Sequence, residues 1–248
     1  MENICIIGAT SAIATACAER LIDAKGELNF VLLGRNESKL RDLSAKLSCK
    51  GASEVTYHIL DIAKFEHYDE VIQAVAKDFG KFDTVIVAHA TTPDQKTCEI
   101  DSNKALAEFF INGTSVISLL TKFTSKGLVN DGGTIIVFSS VAGDRGRRSN
   151  YVYGSAKAAI TSFTSGLRAR LIDQNINVLT VKPGYVDTPL NDGIDLPKCM
   201  VASPQYVALK IVSAMTKRKS VIYVPFFWYF IMLVIRAIPE TIFKRLNF

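Results

Sequence analysis

Three side chains in one stretch of the sequence could support proton transfer to a carbonyl oxygen. Tyr153 and Lys157 are four residues apart, so on a helix their side chains lie on one face. An ammonium held there lowers the pKa of the phenol toward working pH, which makes Tyr153 a candidate general acid. Ser140 ends an apolar run thirteen residues before Tyr153, where its hydroxyl could hydrogen-bond the same oxygen.

The elements that must position these residues alternate along the chain. Strands are predicted for the apolar runs 3–9, 28–36, 54–62, 82–90, 132–140 and 176–184. Helical spacing fills the intervals, including 102–126 and about 151–175. This alternation predicts a parallel sheet with helices on both faces. With 248 residues, 48% of them hydrophobic, we predict a single α/β domain with a doubly wound Rossmann fold.

Composition argues against several other classes of protein. The formal charge of +5 comes from scattered cations and is too weak for a nucleic-acid-binding protein. The five cysteines lack CxxC or Cys/His ligand spacing, so we expect neither a disulfide framework nor a metal site. The first apolar run has no basic segment before it and is typical of a strand, so we expect a cytoplasmic protein rather than a secreted one.

The small-residue turn GATSAIA, residues 8–14, leaves the first strand and opens the first helix. Such a turn presents backbone N–H groups and a helix N-terminus to a phosphate, which indicates a dinucleotide site. Only Gly8 is retained from the usual three glycines, with Ala12 and Ala14 in the other small positions, so an ordinary strand–helix turn is the alternative.

The end of the second strand bears on the choice of cofactor. Arg35 follows Gly34 with no acid beside it, and a cation there would bind a 2′-phosphate, which favours NADP(H) over NAD(H). The alternative is that Arg35 is a solvated surface residue. Asp61, after the third strand, could accept from the adenine amino group or cap a helix.

Four motifs in order carry a family resemblance: GATSAIA, Asn112-Gly-Thr, Ser140 with Tyr153-Gly-Ser-Ala-Lys157, and KPGYVDT at 182–188. With them the chain resembles the short-chain dehydrogenase/reductase family over residues 3 to 190. The resemblance implies that Tyr153 protonates the carbonyl oxygen while Ser140 polarises it. It further implies that Lys157 holds the nicotinamide ribose and tunes Tyr153, and that Asn112 anchors a water in the proton relay.

The same resemblance implies a cofactor shell that runs from pyrophosphate to nicotinamide. Its members are Gly8, Thr10, Ser11, Ile13, Arg35, Asp61, Ile62, Ala88, Ala90, Lys157, Pro183, Gly184, Val186 and Thr188. The chain departs from the family where the usual Asn-Asn-Ala-Gly is replaced by Ala-His-Ala at 88–90. Of the other candidates, we expect Ser139, Tyr151 and His89 to be structural.

The C-terminal stretch 221–248 extends the reductase domain that we predict for residues 1–220. Its nearly uncharged run, 221–235, is fifteen residues long and contains Pro225, so it is too short to span a bilayer. Three alternatives remain open: a last strand with a buried helix, a subunit contact, or an amphipathic segment on a membrane. In the third, Arg236, Lys244 and Arg245 would meet the headgroups.

A narrower resemblance rests on four features in combination: GATSAIA, VAGDRGRRSNYVYGSAKAA at 141–159, KPGYVDTP at 182–189 and the tail. Together they resemble the branch that contains decaprenylphosphoryl-2-keto-erythro-pentose reductase. That resemblance implies an NADPH-dependent ketoreductase that acts on a keto-sugar, lipid-linked through a polyprenyl phosphate, in cell-envelope polysaccharide biosynthesis. We expect a homodimer or homotetramer at the inner face of the cell membrane. Arg145, Arg147 and Arg148 would meet a phosphate, or would instead fix the loop by salt bridges.

Two other functions stay open. One is a soluble oxidoreductase of acyl, steroid or nucleotide-linked polyol substrates, in which the tail is a dimer contact. The other is a non-catalytic, cofactor-binding regulatory or scaffold protein whose tail recruits partners.

Overall fold

Seven strands form one parallel sheet, and its central strands are buried on both faces. In the computed structural model, which describes residues 1–191 and 197–246, its members are β1 (Glu2–Ile7), β2 (Leu28–Gly34), β3 (Glu54–Ile59), β4 (Phe82–Val87), β5 (Val129–Phe138), β6 (Asn177–Pro183) and β9 (Val221–Val224). Their order is β3-β2-β1-β4-β5-β6-β9, and every neighbouring pair is parallel. A separate pair consists of β7 (Tyr185–Val186) and β8 (Val201–Ala202).

Helices cover both faces of the sheet. They are α1 (Ala12–Lys25), α2 (Glu37–Lys50), α3 (Tyr68–Phe79), α4 (Gln95–Ile100), α5 (Ser102–Phe109), α6 (Ser115–Ser125), α7 (Tyr151–Arg170), α8 (Pro204–Thr216), α9 (Phe227–Ala237) and α10 (Glu240–Phe243). Short 3₁₀ turns occur at Phe65–His67, Val141–Gly143, Pro189–Asn191 and Lys198–Met200. Helices α1, α2 and α8 pack on one face, and α3, α6 and α7 pack on the other.

Alternation along the strands divides the core into two layers. In β1, Ile4 and Ile6 join the core under α1 and α8, whereas Cys5 and Ile7 join the core under α6 and α7. Because successive side chains of a strand point to opposite faces, a strand covered on both sides is a continuous apolar run. The predicted α/β doubly wound fold in a single domain is confirmed.

The predicted strands all run one to three residues past the carboxyl ends of the observed ones. The prediction 82–90, for example, ends in the structure at Val87. Small apolar residues such as Ala88 and Ala90 continue the hydrophobic run after the ladder of sheet hydrogen bonds has stopped. The overrun residues lie in the loops at the carboxyl edge of the sheet, which is where open α/β sheets bind ligands.

The tail begins inside the main sheet. Strand β9 pairs with β6 in the register Thr180↔Val221 to Pro183↔Val224, and the inner face of α9 packs Trp228 and Met232 on Val141. The boundary that we predict between residues 220 and 221 therefore falls immediately before the seventh strand. Asn247 and Phe248 of the predicted extension lie outside the described residues.

Candidate active site

The carboxyl ends of the parallel strands bring the predicted site residues to one edge of the sheet. Gly8 follows β1 and Arg35 follows β2, while Ser140 and Gly184 follow β5 and β6. The chain order reverses between β1 and β4, so a crevice is expected where loops from the two halves diverge. A ligand-binding site is therefore expected at the carboxyl edge near β1 and β4.

Helix α7 presents Tyr153 and Lys157 toward this edge. Tyr153 lies in the first turn, and Lys157 lies one turn later on the same face, with its Nζ 5.5 Å from the centre of the Tyr153 ring. Lys157 is only 1% exposed, and its ammonium donates to the carbonyl of Phe138, the last residue of β5, at 3.1 Å. The side chain thus spans from the helix to the strand end beside Ser140.

Two glycines let Ser140 approach Tyr153. A Cβ on Gly143 would lie 2.7 Å from the backbone carbon of Lys157, and one on Gly154 would lie 2.8 Å from the Ala142 oxygen. The turn after β5 therefore packs directly on the backbone of α7. Ser140 accepts a hydrogen bond from the Ala142 N–H at 3.1 Å, and its hydroxyl bonds Tyr153.

Burial sets the protonation states of the pair. Burial raises the pKa of Tyr153 to about 12, although the Ser140 hydrogen bond and the positive charge of Arg147 oppose this rise. Burial lowers the pKa of Lys157 to about 8. Tyr153 is therefore protonated at neutral pH and can donate. The sequence predicts that Lys157 lowers the pKa of Tyr153. In the structure the lowering influences come from Ser140 and Arg147 instead, because the Lys157 ammonium is directed at the Phe138 carbonyl.

Asn112 lies where the predicted helix 102–126 is interrupted. A π-helical turn at Phe110–Thr114 separates α5 from α6, and such turns are frequent at functional sites. The Asn112 amide donates to the Thr91 hydroxyl at 2.7 Å and to the Glu108 carbonyl at 3.1 Å, and its oxygen accepts from the Thr91 N–H at 3.0 Å. Thr91 and Glu108 fix Asn112, and neither is found by sequence reasoning because their roles depend on this long-range contact.

The start of α1 fits the pyrophosphate of a dinucleotide. Gly8 has φ of +79°, and a Cβ there would lie 2.5 Å from the backbone nitrogen of His89, so only glycine fits. Ser11 precedes the helix without a side-chain cap, and the first turn contains no acid. The first N–H groups of the helix therefore remain available to an anion. Thr10 and Ile13 lie on the same turn, exposed and half-buried respectively.

The adenosine end of the predicted shell is more open. Arg35 is exposed and forms no ion pair within the part of the chain that the structure describes, while its neighbour Asn36 caps α2. Asp61 accepts from the Ala63 N–H at 3.0 Å, so it acts as a local cap and keeps its second oxygen for another donor. The Ile62 carbonyl accepts from the Tyr68 hydroxyl at 2.6 Å.

The nicotinamide end of the predicted shell rests on the tail. A Cβ on Gly184 would fall 1.8 Å from the Trp228 Nε1, so the indole lies directly on this glycine. Trp228 is buried, and its N–H has no partner among the described residues. Pro183 ends β6, Val186 lies in β7, and the buried Thr188 hydroxyl donates to the Val186 carbonyl at 3.4 Å. Trp228 is missed by the sequence analysis, although it is the chain's single tryptophan.

The residues that we expect to be structural have distinct surroundings. The Ser139 hydroxyl bonds the Lys157 carbonyl at 2.9 Å, which ties β5 to α7. His89 bonds the Ser115 hydroxyl at 2.8 Å, and burial, followed by the charge of Lys157, lowers its pKa to about 3, so the ring is neutral. Tyr151, which we expect to be structural, is 43% exposed at the start of α7 and lines a cavity.

The loop after Ser140 is bonded to the tail. The Arg145 guanidinium donates to the carbonyls of Ile235 and Ile238 at 2.6 Å each, and to the Glu240 carboxylate at 2.8 Å. It also stacks on the Phe243 ring, 3.6 Å from the ring centre. Arg145 is therefore committed to structure, in agreement with the salt-bridge alternative for this one arginine.

Metal chemistry has no support in the described part of the chain, where no cluster of His, Cys, Asp or Glu suits an ion. All five cysteines are free. Within residues 1–191 and 197–246, no helix combines the length and the hydropathy needed to cross a bilayer.

Replacing Lys157 by Met should increase stability at neutral pH. The pKa of Lys157 is about 8 in the folded protein and 10.5 in the unfolded chain, so below pH 8 folding must bury the charged ammonium. The free energy of unfolding therefore rises between pH 8 and 10.5, where the folded protein has lost this proton and the unfolded chain still holds it. We expect the free energy of unfolding of the Lys157→Met variant to be about 2 kcal/mol higher at pH 7 and not to rise between pH 8 and 10.5. Urea unfolding from pH 7 to 10.5 measures both effects, with the exposed Lys210→Met variant as control. Equal pH profiles for wild type and Lys157→Met would contradict the buried charge.

Comparison with known proteins identifies the family of the chain. A family model described as short chain dehydrogenase matches residues 2–197. An uncharacterized oxidoreductase of Mycobacterium tuberculosis is 31% identical over 243 residues, which cover 98% of this chain and 96% of that protein. An uncharacterized oxidoreductase of Streptomyces coelicolor is 29% identical over 249 residues, covering 99% and 96%.

Two solved structures share the fold. An actinorhodin polyketide ketoreductase with NADPH superimposes with a TM-score of 0.77 at 21% identity, over 90% of this chain and 95% of that one. The L-sorbose reductase of Gluconobacter frateurii, complexed with NADPH and L-sorbose, gives a TM-score of 0.77 at 23% identity, over 90% and 94%. The chain therefore belongs to the short-chain dehydrogenase family and is an NAD(P)-dependent oxidoreductase of CH–OH and C=O groups.

Proposed function

We propose that this oxidoreductase is an NADPH-dependent ketoreductase that reduces a polyprenyl-phosphate-linked keto-sugar in cell-envelope polysaccharide biosynthesis. The observation that carries the proposal is a protonated Tyr153 between the Ser140 hydroxyl and the Lys157 ammonium, at the carboxyl edge of the sheet. The keto-sugar is supported by the sorbose reductase neighbour, whose bound L-sorbose shows that this fold can hold a ketose.

Ser140 and Tyr153 act on the carbonyl oxygen. Ser140 already accepts from the Ala142 N–H, so its own hydrogen is free to be donated toward Tyr153 or toward a carbonyl oxygen held between them. Tyr153 gives its proton to that oxygen as the carbon is reduced. A nicotinamide held at this edge would supply the hydride, and hydride and proton together would convert C=O to CH–OH.

Lys157 and Asn112 serve the proton and the cofactor. The Lys157 ammonium would hold the nicotinamide ribose, while Ser140 and Arg147 would favour the phenolate that remains after proton donation. Asn112, whose side chain is fully engaged by Thr91 and Glu108, fixes the π-helical turn that we propose anchors the relay water. Gly8 and Ser11 would hold the pyrophosphate at the start of α1, and Arg35 the 2′-phosphate.

The Tyr153→Phe substitution tests the mechanism. It removes the donated proton and keeps the ring, so NADPH consumption with keto-sugar acceptors should fall about 10²- to 10⁴-fold while the Kd for NADPH changes little. The Tyr206→Phe variant, in which the altered hydroxyl is on α8, is the matched control. A Tyr153→Phe enzyme with a near-normal rate would show that another group supplies the proton.

The Arg35→Ala substitution tests the cofactor preference. An exposed guanidinium without an ion pair among the described residues can bind a 2′-phosphate through charge-assisted hydrogen bonds. We expect the Kd for NADPH to rise about tenfold to a hundredfold and the Kd for NADH to stay constant. Arg41→Ala, whose guanidinium already pairs with Glu37 at 3.1 Å, is the control. An unchanged preference after Arg35→Ala would refute the role of this arginine.

The outer face of α9 supports membrane contact. Phe226, Phe230, Leu233 and Val234 follow the i, i+4, i+7 and i+8 pattern of one helix face and are 55% to 64% exposed. The opposite face is already buried against the body of the protein through Trp228 and Met232. A helix that is apolar on both faces needs a second apolar neighbour.

A lipid surface fits the outer face of α9 better than a second protein copy does, because cations accompany it. Arg236 ends the helix, and Lys244 and Arg245 follow α10; all three are exposed. Apolar residues with adjacent cations are typical of segments that lie in the headgroup region of anionic bilayers. Arg145 binds the end of this helix to the loop that follows Ser140, so the membrane would lie beside that loop.

Vesicle binding tests the membrane contact. The intact protein should co-sediment with phosphatidylglycerol-containing vesicles, and the double variant Phe230→Ser/Val234→Ser should lose at least about tenfold in affinity because it removes buried apolar area. Ile100→Ser, on α4, is a matched control because Ile100 is 89% exposed. Self-association that is lost in the same double variant, without vesicle binding, would instead favour the homodimer or homotetramer contact.

The two other candidate functions differ in support. The polyketide ketoreductase neighbour is compatible with a soluble reductase of acyl substrates, and turnover of a water-soluble ketone without lipid would favour that function. The non-catalytic alternative has no observation in its favour, since Ser140, Tyr153 and Lys157 lie together at the sheet edge.

A further inference from the structure

A cavity lies between the loop after Ser140 and the C-terminal helix α10. Its volume is about 310 Å³, at the lower end of the range for small-molecule sites. The walls that matter here are formed by Arg147, Arg148, Tyr151, Glu240, Phe243 and Lys244. The sequence separates these residues by almost a hundred positions, and the contacts of Arg145 with the tail hold the two sides together.

The charges around the cavity are unbalanced. Glu240 is the one acid of this wall, and its carboxylate already pairs with Arg145 at 2.8 Å. Arg147, Arg148 and Lys244 have no carboxylate partner within the described residues. The Nε of Arg147 is buried and has no hydrogen-bond acceptor there. Cations without carboxylate partners around one cavity attract negative charge, so an anionic ligand would complete this wall.

Arg147 links the wall of the cavity to the reacting groups. Tyr151, on the same wall, begins α7 two residues before Tyr153. The charge of Arg147 is close enough to oppose the rise in the Tyr153 pKa. A substrate whose carbonyl oxygen meets Tyr153 could therefore place a second group among these cations.

We propose that Arg147, Arg148 and Lys244 form a binding site for a phosphate or diphosphate ester group of the substrate. Two guanidinium groups offer paired donors that match phosphate oxygens, and the lysine adds a third positive charge. Tyr151 and Phe243 would pack on the attached apolar or sugar portion. The inference rests on the proposed ketoreductase function for its substrate, but the binding site itself is testable without turnover.

Calorimetry on the NADP⁺-saturated protein tests the site, since saturation fills the predicted 2′-phosphate position at Arg35. The probes are inorganic phosphate, inorganic pyrophosphate and geranyl phosphate. The variants are Arg147→Gln and the more exposed Arg148→Gln, each verified by thermal unfolding. The matched control is Lys77→Gln, an exposed cation on α3 that is not part of the cavity.

We expect each arginine variant to weaken probe binding about tenfold or more, and Lys77→Gln to leave it unchanged. The affinity of the wild-type protein should also fall as salt is added. Tighter binding of geranyl phosphate than of the inorganic anions would identify a lipid-linked phosphate, whereas equal binding would identify a water-soluble phosphate ester.

Absence of probe binding to the wild-type protein, or equal binding to wild type and both arginine variants, would overturn the phosphate site. That failure is distinguishable from failure of the proposed function. The Tyr153→Phe variant should keep the phosphate affinity while losing reductase activity. A protein that reduces neutral ketones but does not bind phosphate would contradict the phosphate site and leave the ketoreductase function intact.

Discussion

A charged side chain buried under the carboxyl edge of the sheet determines how the surrounding elements pack. Lys157 is almost fully enclosed, and its ammonium reaches the carbonyl at the end of β5. The Ser139 hydroxyl binds the carbonyl of the same lysine, and the glycines at 143 and 154 let the intervening turn rest on the helix backbone. The fold tolerates the cost of this charge, which suits a residue kept for chemistry rather than for stability.

The tail is joined to the chemistry by polar contacts as well as by packing. Lys182 of β6, the buried Asp144 of the loop and Tyr223 of β9 bond one another, and the next loop residue, Arg145, binds the carbonyls at the end of α9. The loop after Ser140 is therefore held between β6 and the tail. A partner that binds the outer face of α9 would therefore contact a helix that is hydrogen-bonded to the loop after Ser140.

Apolar runs in the sequence were sufficient for six of the seven strands, because a strand covered on both faces must be apolar throughout, whereas β9 was one of three alternatives for the tail. They were insufficient at the strand ends, where small residues such as Ala88 prolong the apolar run beyond the ladder. The spacing of Tyr153 and Lys157 predicted their shared face because both lie on one helix. Glu108 and Trp228 were not predictable, since their roles arise from contacts with residues that are close only in the folded chain.

The indole lying on the α-carbon of Gly184 has a consequence for how this enzyme could diversify. The tail packs against the loop after β6, and it meets that loop where no β-carbon can be accommodated. A C-terminal segment transplanted from a relative would succeed only if the residues at positions 184 and 228 were exchanged as a pair. The two positions are therefore sterically coupled: a side chain at position 184 would require a smaller residue at position 228.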